Sequence, residues 1–549
     1  MLRRRHVFSC SRALVASVAV LTLALGCSSD EGSDPEGGAP PFGNSPVPRN
    51  PANPGDMGST TAPPAMGSGD PAAPADPGMQ ANGNEGNAPI DTLDPGTAPT
   101  DPGNNAGNDP GSDPSSDPGS DPGNDGTDQP PAENPPAENP PAEIPIEQPG
   151  PVDVFVEDSG LDCAVGQLPN NIPNNARLPN PFVKLDGTQV ASQADWRCRR
   201  KELRAMAERY VFGPKPIPQT VTGSVANNQI TVNVSDQGRN IMFTATVRLP
   251  TTGTAPFPAV FNIGGTDEAM FRSQGVAIID FAANGQNPVA QESNNSGSQQ
   301  NRQNKRGAFY TLYGANSQTG FLGAWAWGVS RLIDVIAASD GSVINKDALA
   351  VMGCSRSGKA AFAIGALDER IALTVPFESG TAGVPAYRAV AQAEVGNNNQ
   401  PSQSLLGDAR GAFGEQAWFG DVFQPFTTAA NTTPIDTHEI IGMFAPRGLL
   451  ILDNPFIGEL TPRGAHAAAL GGVEVFKALG VEANFSYLSN TNDGMHCLIR
   501  SEYQEPLRQA IQKHLFKNPN ATGGAITTSQ AFATANRADW VDWQTPALQ

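Results

Sequence analysis

The sequence around Ser355 could do chemistry. An apolar run, Leu349 to Met352, leads into Gly353-Cys354-Ser355-Arg356-Ser357-Gly358-Lys359, and a helical pattern, Lys359 to Leu367, follows. A serine on a sharp strand-to-helix turn holds its hydroxyl clear of the sheet and close to a helix N-terminus, the setting of an activated nucleophile. Gly353 stands two residues before the serine; two after it stands Ser357, small but not the glycine of the usual Gly-x-Ser-x-Gly. The same residues match a phosphate-binding loop through Lys359, but Ala360 occupies the place of the hydroxyl that would ligate magnesium.

A nucleophilic serine needs a base and an acid, later in the chain and at strand ends. Of the five histidines, His6 lies in the leader, and His438, His466 and His514 fall within or at the start of helical patterns. His496 alone follows a late strand, in the loop Asn492-Asp493-Gly494-Met495-His496-Cys497, and is the expected general base. Two acids compete to orient it. Glu378 ends one strand in Pro376-Phe377-Glu378-Ser379-Gly380; Asp453 ends another, Leu449 to Leu452. Either could stabilise the imidazolium.

These residues require a scaffold that brings strand ends to one rim. Short apolar runs recur at Ala259 to Ile263, Val276 to Phe281, Leu349 to Met352, Leu373 to Phe377, Leu449 to Leu452 and Phe485 to Leu488. Helical stretches, Gly323 to Ala338, Lys359 to Leu367 and Gly464 to Leu479, lie between them. Near-continuous apolar strands alternating with helices predict a mostly parallel central sheet covered on both faces, a three-layer α/β/α sandwich. Ahead of it, Ile230 to Val234 and Met242 to Leu249 alternate as strands, and Trp196 to Tyr210 reads as an amphipathic helix.

Charge separates the rest of the 549-residue chain. Residues 28–150 carry 21 acids against the single base Arg49, residues 1–27 carry four arginines, and the remainder is left at −4. The acidic stretch is rich in Pro and Gly and lacks apolar residues to offset ordering entropy, so it reads as a disordered linker. An acidic linker and a near-neutral globular part argue against a nucleic-acid partner. Arg3 to Arg5 and the apolar run Ala13 to Leu25 form an export signal, ending Leu23-Ala24-Leu25-Gly26-Cys27, which resembles a bacterial lipobox with Cys27 as the lipidated residue. The expected division is residues 1–27 signal and lipobox, 28–150 linker, 151–520 catalytic domain and 521–549 C-terminal tail, with the tail docking on the domain. The product is expected to be an exported protein, secreted or held as a surface or outer-membrane lipoprotein. Cys163, Cys198, Cys354 and Cys497 allow two disulfides in three connectivities, and no spacing suggests a metal site.

Taken together, Gly353 to Lys359, Phe377-Glu378-Ser379-Gly380, Ala324-Trp325-Ala326-Trp327-Gly328-Val329-Ser330-Arg331, Ala445-Pro446-Arg447-Gly448-Leu449-Leu450 and His496-Cys497 resemble the glucuronoyl esterases of carbohydrate esterase family 15, from about Asp162 to Phe516. The resemblance implies an α/β-hydrolase fold and cleavage of the ester between 4-O-methyl-glucuronic acid on xylan and a lignin alcohol, with no cofactor or metal, by a monomer. It implies Ser355 as nucleophile, His496 as base, Glu378 as acid with Asp453 as alternative, and Arg356 as an oxyanion donor. It further implies Lys359, Glu415 and, more loosely, Gln403 as binders of sugar hydroxyls. It pairs Cys354 with Cys497 and Cys163 with Cys198. The tryptophan that fungal members carry near Asp453 to Leu460 is absent. The rivals are another carbohydrate esterase, such as an acetyl xylan esterase, and a non-catalytic polysaccharide-binding lipoprotein; the first has no evident need for Lys359 and Glu415, the second none for Ser355, His496 and Glu378.

Overall fold

A computed structural model describes residues 157, 160, 162–170, 173–292, 300–390 and 409–548. The export signal, Cys27, the 28–150 linker and Gln403 lie outside the described residues. The frame is a ten-stranded sheet: β1 (Thr220–Ala226), β2 (Gln229–Asp236), β3 (Arg239–Arg248), β4 (Phe257–Gly264), β5 (Ala277–Asp280), β6 (Ile344–Cys354), β7 (Ile371–Phe377), β8 (Gly448–Leu452), β9 (Phe485–Ser489) and β10 (Ile526–Thr528). The order is β1-β2-β3-β5-β4-β6-β7-β8-β9-β10. β1, β2, β3 and β5 pair antiparallel, and every pairing from β5 to β10 is parallel.

The period-2 alternation of strand side chains divides the core in two. In β4 and β6, Ala259, Phe261, Ile263, Leu349 and Val351 face a core shared with helices Phe321–Ala338, Arg356–Leu367 and Pro462–Ala478. Val260, Ala350 and Met352 turn the other way, against Leu507, Ala510 and Ile511 of helix Ser501–His514 and Phe271 of helix Glu268–Ser273. Both faces of the central strands are therefore dry, which is why those runs carry almost no polar residues. Helix Phe321–Ala338 is buried on nearly all sides, with Trp325 and Trp327 fully enclosed. The fold is that of the α/β-hydrolases, three layers with a mostly parallel sheet.

The last residues join this frame. β10 pairs parallel with β9, and Trp540 and Trp543 are buried in the larger core. The parallel strands from β4 onward all point their C-terminal ends to one edge, and the turns after β4, β6, β7 and β8 and the loop after β9 build the site there.

Candidate active site

Ser355 sits between β6 and helix Arg356–Leu367 with φ 59°, a left-handed conformation rare for a side chain with a Cβ. Its N–H donates to the carbonyl of Phe377 at 3.0 Å, pinning the turn to the end of β7. Close packing dictates the small neighbours. A Cβ on Gly353 would lie 2.3 Å from the carbonyl oxygen of Ser357, and one on Gly358 would lie 2.6 Å from that of Phe377. The loop after β4 presses on the turn as well, since a Cβ on Gly264 would meet Ser357 Oγ at 2.7 Å and one on Gly265 would meet Cys354 Cβ at 2.7 Å. Ser357 thus meets the demand for a small residue that glycine usually meets there. Strain at a serine held in this way is characteristic of a nucleophile turn.

Across this rim, His496 Nδ1–H donates to Glu378 Oε2 at 2.7 Å. A carboxylate can only accept, so the proton belongs on Nδ1, and Nε2 is left with its lone pair. Glu378 is fully buried, sits in the left-handed region at φ 43°, and has its own N–H bonded to the carbonyl of Leu452 at 2.7 Å. The backbone N–H of Cys497 donates to the same Oε2 at 2.6 Å, and Asn454 Nδ2 donates to Oε1 at 3.3 Å. Three donors hold the buried carboxylate, so its direction is set before any substrate arrives.

A disulfide between Cys354 and Cys497, 143 residues apart in sequence, ties the two halves together. Each cysteine is the chain neighbour of one of the two groups, Ser355 and His496. The second disulfide joins Cys163 to Cys198. Donor atoms of Cys354, Glu378, His496 and Cys497 lie within 4.8 Å of one another. Both sulfurs are consumed by the disulfide and offer no thiolate to a metal.

Arg356 and Lys359, on the helix that follows Ser355, belong to a cluster of charges. Arg356 Nη1 donates to Glu292 Oε2 at 2.9 Å, and Glu415 lies 3.9 Å from its other terminal nitrogen. The Trp418 indole N–H donates to Glu292 Oε1 at 2.7 Å. Lys359 Nζ donates to the carbonyl of Ser379 and lies 5.0 Å from the centre of the Trp418 ring. Burial, reinforced by the positive charge of Arg356 and opposed by Glu415 and Glu292, pushes the Lys359 ammonium down to about 8. Burial raises the Glu415 carboxyl above its ordinary value, against the pull of Lys359 and Arg356. The cluster thus gathers two cations and two carboxylates beside the Trp418 ring.

Residues 232–480 match the family model described as "Glucuronyl esterase, fungi". The 4-O-methyl-glucuronoyl methylesterase of Hypocrea jecorina (strain QM6a) is 35% identical over 393 residues, covering 71% of this chain and 80% of that protein. The chain belongs to the glucuronoyl esterases. Its activity class is carboxylic ester hydrolysis. A serine-to-alanine mutant of the Sporotrichum thermophile glucuronoyl esterase, crystallised with methyl 4-O-methyl-β-D-glucopyranuronate, aligns with TM-score 0.61 and 32% identity over 70% of this chain and 100% of that one. A family 15 glucuronoyl esterase from Caldicellulosiruptor kristjansonii aligns with TM-score 0.55 and 28% identity over 69% and 98%.

Within this glucuronoyl esterase, the residues singled out in sequence fall in three groups. Ser355 and Arg356 open the helix after β6. Glu378 holds His496, while Lys359 and Glu415 share the charged cluster. Asp453 is engaged elsewhere: its Oδ2 accepts from the Tyr487 hydroxyl at 3.0 Å and its Oδ1 from the Asn454 N–H at 3.0 Å. Gln403 lies outside the described residues. In the turn that lacks a tryptophan, Phe456 packs edge-on to Phe532, with ring centres 6.2 Å apart. Sequence reasoning gave no role to Glu292, Trp418 or Asn454. Trp418 stands three residues after Glu415 and Asn454 directly after Asp453, so proximity to a named residue was the signal for both. Glu292 offers none.

Proposed function

We propose that this esterase hydrolyses 4-O-methyl-glucuronoyl esters linking glucuronoxylan to lignin alcohols, by acyl transfer through Ser355. His496 Nε2 takes the proton of the Ser355 hydroxyl as Oγ attacks the uronoyl carbonyl. The Arg356 guanidinium and backbone N–H groups at the start of its helix face the developing oxyanion, and one such donor is typically worth about 3–4 kcal/mol in the transition state. The intermediate collapses, and His496 returns the proton to the leaving alcohol oxygen. A water, deprotonated by His496 in turn, attacks the acyl-enzyme; Ser355 recovers its proton and the uronic acid departs. Glu378 keeps the imidazole oriented and stabilises its charged form; Asp453, the alternative acid, accepts from the Tyr487 hydroxyl instead.

The observation that carries this reading is the buried Glu378 bonded to His496 Nδ1, joined through Cys497 and Cys354 to the strained Ser355. Lys359 and Glu415 are assigned to hydroxyls of the uronoyl ring, a demand that an acetyl group would not make. Gln403 is proposed as a further contact to the sugar. The protein is proposed to be exported and to act as a monomer, with Cys27 lipidated so that the 28–150 linker holds the domain away from a membrane surface. The test is hydrolysis of methyl and benzyl glucuronate by the purified protein beside Ser355→Ala. Turnover by the first and none by the second is expected; equal turnover by both would remove Ser355 from the mechanism.

A further inference from the structure

The parallel strands have a second edge, and two cavities lie there. The first, of about 220 Å³, is lined by Leu373, Leu449, Leu450 and Ser486, near the starts of β7, β8 and β9. Ala510, on the helix Ser501–His514 that packs against those strands, closes its other side. The second cavity, of about 470 Å³, is lined by Ala372, Arg447, Lys513 and Lys517 among others. Asn484 and His514 line both. Ser355 and Glu378 follow the opposite, C-terminal ends of β6 and β7, so neither cavity belongs to the site described above.

The two differ in chemistry. Leu373, Leu450, Leu488 and Ala510, around the first, belong to the smaller apolar cluster of the core. An apolar cavity of about 150 Å³ holds a benzene molecule, so this one has room for an aromatic ring. Glu505 also lines it, but its carboxylate is taken by Arg508 and Gln509. The second cavity has three cations and, among the described residues lining it, no acid. Lys513 ends a helix, where a cation answers the dipole, but Arg447 and Lys517 come from outside that helix. Arg447 Nη1 is spent on the carbonyls of Gly365, Asp368 and Ile371, so this residue supplies charge more than hydrogen bonds. Lys513 Nζ donates to the Ala483 carbonyl at 2.8 Å, and Lys517 is exposed; an ammonium carries three donors, so both retain N–H groups for a ligand. Burial, then the charges of Lys513 and Lys517, push His514 down to about 3, so a neutral imidazole stands between the two cavities.

We propose that the two cavities form one binding site, remote from the catalytic centre, for an arylcarboxylate. The ring occupies the apolar cavity, and the carboxylate lies at Lys513 and Lys517. A pocket with an apolar body and a few placed polar groups at its mouth is the usual form of a small-molecule site. An inorganic anion would leave the apolar cavity uncovered, and a neutral aromatic would leave the cations without a partner. An acid with an aromatic body answers both.

The test is titration of the full protein with 3-phenylpropionate, 3-phenylpropanol and acetate, followed by ligand-detected NMR. The acid should bind at least about tenfold more tightly than the alcohol or acetate. In the double variant Lys513→Gln, Lys517→Gln its affinity should fall about tenfold, with that of 3-phenylpropanol kept within about twofold. Ala510→Leu fills the first cavity and should weaken both aromatic compounds. Melting curves establish that each variant is folded, and the lysine variant, changed only at the surface, decides the matter if Ala510→Leu is not. No saturable binding of 3-phenylpropionate to the parent below about 10 mM overturns the proposal. So does undiminished binding in the lysine variant, which would place the acid elsewhere on the protein.

Discussion

Arg356 and Glu292 are joined by a 2.9 Å ion pair in which the exposed partner is the arginine and the buried partner the glutamate. Glu292 is in turn fixed by the Trp418 indole at 2.7 Å. An exposed guanidinium on its own samples many rotamers; one clamped to a buried carboxylate keeps a single direction. Glu292→Gln should therefore lower kcat about tenfold or more with a smaller change in KM, as expected when a transition-state donor is loosened. Arg356→Ala should cost about 100-fold or more, and the double variant should be no worse than Arg356→Ala alone, because Glu292 acts through the arginine. Steady-state kinetics on benzyl glucuronate for the four proteins reads both effects; additive losses would count against the coupling.

Glu378 and Asp453 make opposite predictions when each loses its charge. Glu378→Gln presents an amide that can donate to His496 and favour the wrong tautomer, so kcat should fall on the order of 10³–10⁴-fold. Asp453→Asn leaves the bond between His496 and Glu378 in place and should cost far less activity. Its effect should appear chiefly in thermal stability, through the Tyr487 hydroxyl that Asp453 accepts.

The pH dependence of substrate binding should follow Lys359. Its ammonium is pushed down to about 8, chiefly by burial. Above that value the folded protein loses the proton while the unfolded chain keeps it up to the ordinary lysine range, so this group's burden on stability is lifted as pH rises from about 8 toward 10. Binding goes the other way. Loss of the charge that we assign to the uronoyl hydroxyls should raise KM through the same window, and Lys359→Met should start with a higher KM and show little of that rise. Initial rates between pH 7 and 10, corrected for spontaneous hydrolysis, decide the matter; the same KM rise in the variant would remove Lys359 from binding.

The two disulfides should separate stability from activity. Their sequence separations, 35 for Cys163–Cys198 and 143 for Cys354–Cys497, correspond to about 4 and 5 kcal/mol in the loop-entropy account. Paired Cys→Ser replacement should lower the melting temperature in both cases. Only loss of Cys354–Cys497 should also lower kcat/KM, by about tenfold or more, because it loosens Ser355 relative to His496. Comparable kcat/KM losses in the two variants, measured below both melting temperatures, would contradict a positioning role for that bridge.

What the sequence revealed follows from how local each feature is. Ser355 was legible because a strand, a run of small residues and a helix adjoin within one stretch. His496 was legible because the other histidines past the leader sit in helical patterns. The strands of the parallel core were legible from their uniform apolarity. Their order, with β5 placed outside β4, depends on crossovers that leave no local pattern. Glu378 and Asp453 end neighbouring strands, β7 and β8, and looked alike; the distinction lies in a positive φ at Glu378 that directs its carboxylate to His496. Glu292 could not be found, since it stands in a polar stretch without periodicity and its partners Arg356 and Trp418 are 64 and 126 residues away.

The central claim is that Ser355 is a nucleophile activated by His496. Brief exposure of the folded protein to a fluorophosphonate, followed by peptide mass mapping, tests it most directly. One adduct on the Ser355 hydroxyl, formed far more slowly in His496→Ala and absent from Ser355→Ala, is the predicted result. No adduct in the parent protein while it still hydrolyses glucuronate esters, or undiminished labelling in Ser355→Ala, would contradict the account.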